Sequence, residues 1–113
     1  GDPPHKFSTT LFTSRAIKFA EVHAAENAER PMFMFLSFQA IHSANNYHLQ
    51  APTDVLNRDE LVAISPEDGG CGQYQHGTLC TPAQRRRSVG AMVASMDDGV
   101  GRLVKALTDT GLW

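Results

Sequence analysis

The residue best placed to do chemistry is His42, which follows the apolar run MFMFLSFQ at residues 32–39 by three positions. A short uncharged run rich in aromatic side chains predicts a strand buried on both faces, as in a parallel sheet. Open parallel α/β sheets bind their ligands beyond the carboxyl ends of the strands. A histidine at that place can transfer a proton or hydrogen-bond an anion near neutral pH. The alternative is a loop histidine with only a local hydrogen bond.

The other histidines do not indicate a metal site. His48 and His76 follow His42 by six and 34 residues, and these spacings match no compact zinc motif. We interpret them as ordinary loop histidines. His5 and His23 carry no signal, and the sequence predicts no metal ligand in this chain.

The two cysteines, Cys71 and Cys80, are nine positions apart in a glycine-rich stretch. Two cysteines exclude both a cysteine-rich framework and a four-cysteine zinc site. In an oxidising compartment they would form a disulfide, and closing a loop of about ten residues would contribute about 2.7 kcal/mol. In a reducing compartment they would be two free thiols, so the sequence leaves both states open.

Four elements must position these residues. The first is a helix at about residues 9–29, with Ser8 and Thr9 as N-cap residues and Pro31 ending the pattern. The second is the buried strand at about 32–39, and the third is a loop at 40–80. A loop of about 40 residues is too long for an ordinary connection, which indicates a functional surface or an insertion.

The fourth element is a long helix at about residues 82–110. Thr81 and Gln84 form a capping-box pattern around Pro82, and Gly111 suits the left-handed position after a helix. The order helix, strand, loop, helix is typical of an alternating α/β fold. Because a lone strand cannot be a complete sheet, we expect the chain to be an internal segment of a larger α/β domain.

Composition excludes several classes of function. Ten Lys and Arg against 12 Asp and Glu give a net charge of -2, which argues against nucleic-acid binding. No apolar run approaches the roughly 18 residues of a transmembrane helix. The first residues lack both an initiator Met and the apolar stretch of a signal peptide, so we expect the chain to begin mid-protein or after processing.

Several segments, in the right order, resemble those of sulfatases, most closely the arylsulfatase B-like branch. Residues 33–42 (FMFLSFQAIH) resemble the strand that carries the active-site histidine, and residues 7–17 (FSTTLFTSRAI) resemble the helix before it. Ala51-Pro52 resembles the turn that follows. Residues 89–102 (VGAMVASMDDGVGR) are similar to the family's long helix, and residues 107–113 resemble its exit.

The resemblance implies part of an alkaline-phosphatase-like α/β sandwich that hydrolyses sulfate esters, aryl or sugar sulfates. It implies a bound calcium ion and a formylglycine made from a cysteine, both supplied by residues outside this segment. It places only His42 at a catalytic and substrate-binding position, where it would hydrogen-bond the sulfate or help to protonate the leaving oxygen. It further implies a glycoprotein that is lysosomal or secreted, and therefore a Cys71–Cys80 disulfide.

Residues 80–84 (CTPAQ) resemble the Cys-x-Pro-x-Arg motif in which formylglycine is made, but Gln84 stands where arginine is required. The motif also follows the histidine strand, whereas the family places it far before. We therefore interpret Cys80 as a disulfide partner. The alternative to a catalytic segment is a truncated or degenerate sulfatase remnant with at most a binding role. In either case we expect the 113 residues alone to be inactive.

Overall fold

The computed structural model describes residues 7–43, 49–66 and 80–113. These ranges contain four helices: α1 (Ser8–Glu26), α2 (Thr53–Leu56), α3 (Asp59–Val62) and α4 (Pro82–Asp109). The chain divides into two units, one formed by Gly1–Phe38 with Met96–Trp113 and the other by Gln39–Ser95. Helix α4 contributes its first half to the second unit and its second half to the first.

Helix α1 buries a face of small side chains, whose members are Thr9, Thr13, Ala16 and Ala20. The N-cap is Phe7, without a side-chain cap bond, so the expectation that Ser8 and Thr9 cap the helix is wrong. The helix ends three residues before the predicted position, because Asn27 leaves helical geometry and its N–H bonds to the His23 carbonyl.

Thr9 and Thr13 are fully buried, and neither Oγ1 has a hydrogen-bond partner among the described residues. Their small size serves close packing instead. A Cβ built on Gly99 of α4 would lie only 2.5 Å from Thr13 Oγ1, so the two helices approach closely at this point. The helical spacing of Phe12, Ala16 and Phe19 predicts one apolar stripe, but the Phe19 side chain is 66% exposed.

Helix α4 has both of its ends defined by local hydrogen bonds. Gln84 N–H donates to Thr81 Oγ1 (3.2 Å) and Thr81 N–H donates to Gln84 Oε1 (2.8 Å), which confirms the capping box. At the other end Gly111 has φ of 75°. Its N–H donates to the Thr108 carbonyl, and Leu112 N–H donates to the Leu107 carbonyl, the two bonds of a Schellman motif.

The second unit has an apolar core around the first half of α4. This cluster is formed by Ala51, Val55, Leu56, Leu61, Ala91 and Met92. The two short helices α2 and α3 within the predicted loop supply Val55, Leu56 and Leu61 to it. Ala40, Leu49 and Ala94 are partly buried against the same cluster.

The predicted strand at residues 32–39 is not assigned as a strand, and the described ranges contain none. Exposed and half-buried side chains alternate along it, the period-two pattern of an extended segment. Phe33 is 92% and Phe35 83% exposed. The two rings are therefore uncovered within this chain, because a strand needs neighbours to cover it and the described residues provide no second strand. The α/β fold class stays a prediction.

None of the helices in the described ranges is long and apolar enough to cross a bilayer.

Candidate functional site

His42 closes a hydrogen-bonded turn at the end of the extended segment. Its N–H donates to the Gln39 carbonyl (3.0 Å), the bond of a four-residue turn from Gln39 to His42. The side chain is exposed to solvent. The turn thus presents the imidazole at the surface of the second unit.

The ring of His42 is oriented by its own neighbour. Nδ1 lies 2.5 Å from the Ser43 carbonyl oxygen. Because a carbonyl oxygen only accepts hydrogen bonds, this contact assigns the proton to Nδ1. Nε2 has no hydrogen-bond partner among the described residues.

Two residues on either side of His42 are anchored to the apolar cluster. Ala40 precedes the histidine by two positions and Leu49 follows it by seven, and both pack against that cluster. The turn that carries His42 therefore begins next to a residue that rests on this core.

Arg87 of α4 belongs to the same unit as His42 and is only 3% exposed. Its Nε donates to the Leu56 carbonyl (3.0 Å), one terminal nitrogen to the Ser65 carbonyl (2.7 Å), and the other to Asn57 Oδ1 (3.2 Å). Three consecutive arginines, Arg85-Arg86-Arg87, predict a solvated helix turn, and for the buried Arg87 this prediction is wrong. Its position one helical turn before buried Ala91 was the signal that could have found it.

A family model described as Sulfatase matches residues 2–113. The chain belongs to the sulfatase family. No solved structure matches it. Sulfatases act on sulfate esters, and the match includes the turn that carries His42.

The remaining residues singled out from the sequence occupy different positions in this sulfatase-family chain. His23 Nε2 donates to the Arg30 carbonyl (2.8 Å) and thereby ties the end of α1 to the residues after it. His5, His48 and His76 lie outside the described residues. The structure therefore brings no second histidine of residues 7–43, 49–66 and 80–113 to His42.

Cys80 is buried and disulfide-bonded, immediately before the capping box of α4. The predicted partner, Cys71, lies outside the described residues. Residues 80–84 thus stabilise the structure, because Thr81 and Gln84 cap the helix and the Cys80 sulfur is bonded in a disulfide. A sulfur in a disulfide does not fit the role of a formylglycine precursor.

The described part of this sulfatase-family chain does not fit a calcium site. Within it, no group of three or more His, Cys, Asp or Glu side chains converges on a point that could hold a metal ion. Calcium takes six to eight oxygen ligands. We therefore derive no chemical step through a metal in this segment.

Proposed function

We propose that this chain is an internal segment of an arylsulfatase B-like sulfatase and that His42 lies in its active site. The observation that carries the proposal is the family match over residues 2–113, together with the exposed, oriented imidazole at the turn that resembles the family's histidine strand. The substrate would be an aryl or sugar sulfate ester.

The orientation of the ring supports a particular role for His42. With Nδ1–H donated to the Ser43 carbonyl, protonation adds a hydrogen at Nε2. The imidazolium can then donate that hydrogen to a sulfate oxygen or pass it to the leaving oxygen of the ester. The Ser43 carbonyl holds the ring in place and stabilises the positive charge during the transfer.

The extended segment supports the view that more of the domain lies outside this chain. Residues 32–39 carry no charge, yet Phe33 and Phe35 are more than four-fifths exposed. Aromatic side chains of that size stabilise a protein by burial. Neighbouring strands of a larger sheet would cover them, and the same outside sequence would supply the calcium ligands and the formylglycine cysteine.

We also propose the Cys71–Cys80 disulfide and, with it, a lysosomal or secreted glycoprotein. Disulfides persist in oxidising compartments, and the bonded state of Cys80 supports this assignment. Peptide mapping of the non-reduced protein should recover a linked peptide pair containing Cys71 and Cys80. Free thiols at both positions would contradict the pairing.

The active-site proposal is tested with His42→Ala in the full-length protein that contains this segment. Loss of a proton-transferring group should lower kcat for 4-nitrophenyl sulfate by about 10²- to 10⁴-fold. The thermal midpoint should stay close to that of the unmodified protein, because His42 is exposed and its bonds are local.

His23→Ala is the matched control, since His23 also donates from its ring to a backbone carbonyl but lies in the first unit. Its kcat should remain within a few-fold of the unmodified protein. Near-normal turnover of His42→Ala would overturn the role of His42. A full-length protein without any turnover would instead favour the degenerate, non-catalytic alternative.

A further inference from the structure

The buried guanidinium of Arg87 holds the ends of two short helices together. Leu56 is the last residue of α2, Asn57 is its C-cap, and Ser65 comes three residues after α3. Arg87 bonds to all three of them through three different nitrogens. A planar fork of donors can satisfy three acceptors in fixed directions, which a lysine ammonium at the end of a flexible stem cannot reproduce.

These bonds fix the residues that form the apolar cluster. Val55 and Leu56 of α2 and Leu61 of α3 pack there against Ala91 and Met92, one turn further along α4 from Arg87. The arginine therefore sets where α2 and α3 lie on α4. All of these contacts fall within the second unit.

The turn that carries His42 rests on the same cluster through Ala40. Ala40 packs against the cluster and precedes His42 by two positions. A shift of α2 and α3 would move the surface against which Ala40 packs. Such a shift would therefore move the start of the turn that ends at His42.

We propose that Arg87 is a positioning residue for His42, acting through α2, α3 and the apolar cluster. Its consequence for turnover rests on the function proposed above, whereas the mechanical link from Arg87 to the His42 turn does not. A misplacement of about 1 Å can cost roughly 10²-fold in rate, so this link is measurable in kinetics.

The experiment compares Arg87→Lys with Arg86→Met in the full-length protein that contains the segment. Arg86 is exposed, so its replacement changes an arginine at this turn of α4 without removing the buried bonds. Arg87→Lys keeps the charge and removes the fork. We expect it to lower kcat for 4-nitrophenyl sulfate by about 10- to 100-fold, with Arg86→Met within about twofold of the unmodified protein.

A double-mutant cycle with His42→Ala separates positioning from general stability. If Arg87 acts through His42, Arg87→Lys should have almost no further effect on kcat in the His42→Ala background. An equal fold-loss in both backgrounds would overturn the proposal, as would an unchanged kcat for Arg87→Lys. Asn57→Ala, which removes one acceptor at an exposed residue, provides the milder variant if Arg87→Lys fails to fold.

Hydrogen–deuterium exchange gives a second readout that does not depend on activity. Peptides covering His42 and residues 49–66 should take up deuterium faster in Arg87→Lys than in Arg86→Met. Equal uptake in the two variants would overturn the mechanical link. If the unmodified protein hydrolyses no sulfate ester, the proposed function fails, and this exchange comparison alone decides the role of Arg87.

Discussion

At the scale of single residues, α1 and α4 approach each other closely because Gly99 has no side chain. Gly99 is buried, and an added Cβ would meet Thr13 Oγ1 at 2.5 Å and Thr13 Cβ at 3.6 Å. Thr13 is β-branched and lies inside a helix, so its side chain has few rotamers to escape into. A larger side chain at Gly99 or at Thr13 would therefore collide with the other residue.

We predict that Gly99→Ala destabilises the packing of α1 on the second half of α4 by about 1–3 kcal/mol, as overpacking of a close contact does. Amide exchange along α1 measures the loss as reduced protection. Gly101→Ala is the control, because nothing lies within 4 Å of the corresponding Cβ. Alanine there should raise helix stability by about 0.5–1 kcal/mol.

Combining Gly99→Ala with Thr13→Ala should restore much of the protection, since the second change removes Oγ1. Undiminished protection in Gly99→Ala alone would show that the helices do not approach this closely.

His42 and Arg87 show which positions a local sequence pattern singles out and which positions it misses. His42 follows an uncharged aromatic run, so its local surroundings already indicate the end of a buried strand. The acceptors of Arg87 lie 22 to 31 residues away along the chain. A local sequence pattern does not identify such distant partners. Only the spacing of one helical turn between Arg87 and Ala91 indicated that Arg87 is buried.

At the scale of elements, the ends of α4 are set by short-range bonds, and these are open to a direct test. We predict that Thr81→Ala lowers the stability of the first turn of α4 by about 1 kcal/mol, because the Gln84 N–H loses its acceptor. Amide exchange at the first turn should rise while the Schellman end near Gly111 stays unchanged.

Thr108→Ala serves as the comparison, since the Thr108 hydroxyl only donates to the carbonyl of Val104 within the helix and caps nothing. An equal effect of the two substitutions on the first turn would contradict the capping role.

Elements could be predicted where their causes are local. Both ends of α4 follow from residues within five positions of one another, and the sequence indicated them. The start of α1 was misjudged because Thr9, a good N-cap residue by type, is buried on the helix face instead. Likewise, whether residues 32–39 form a strand depends on partners far away in sequence, which no local pattern contains.

At the scale of the whole molecule, large apolar side chains remain uncovered. Phe33, Phe35 and Trp113 are each at least 80% exposed, although aromatic residues of this size are mostly buried in stable domains. Surface of this kind marks a missing partner or an aggregation liability.

On the proposal that the chain is an internal segment, we predict that the purified 113 residues bind the dye ANS and hydrolyse no 4-nitrophenyl sulfate, because the neighbouring strands and the other active-site groups would come from outside it. Replacing Phe33 and Phe35 together by Ser should reduce the dye signal, and Leu61→Ala, at a buried position, should not. Measurable sulfatase activity together with a cooperative thermal transition would contradict this prediction.

The anchoring of the His42 turn bears on how such a site can change during evolution. Ala40 holds the turn on the core, whereas Ile41 and Ser43 on either side of the histidine are exposed. Substitutions at exposed positions usually change stability by no more than about 0.5 kcal/mol. Replacing Ile41 or Ser43 therefore changes the side chains around His42 while the packing of Ala40 stays the same. The turn is a place where the chemistry around the histidine can vary at little cost in folding.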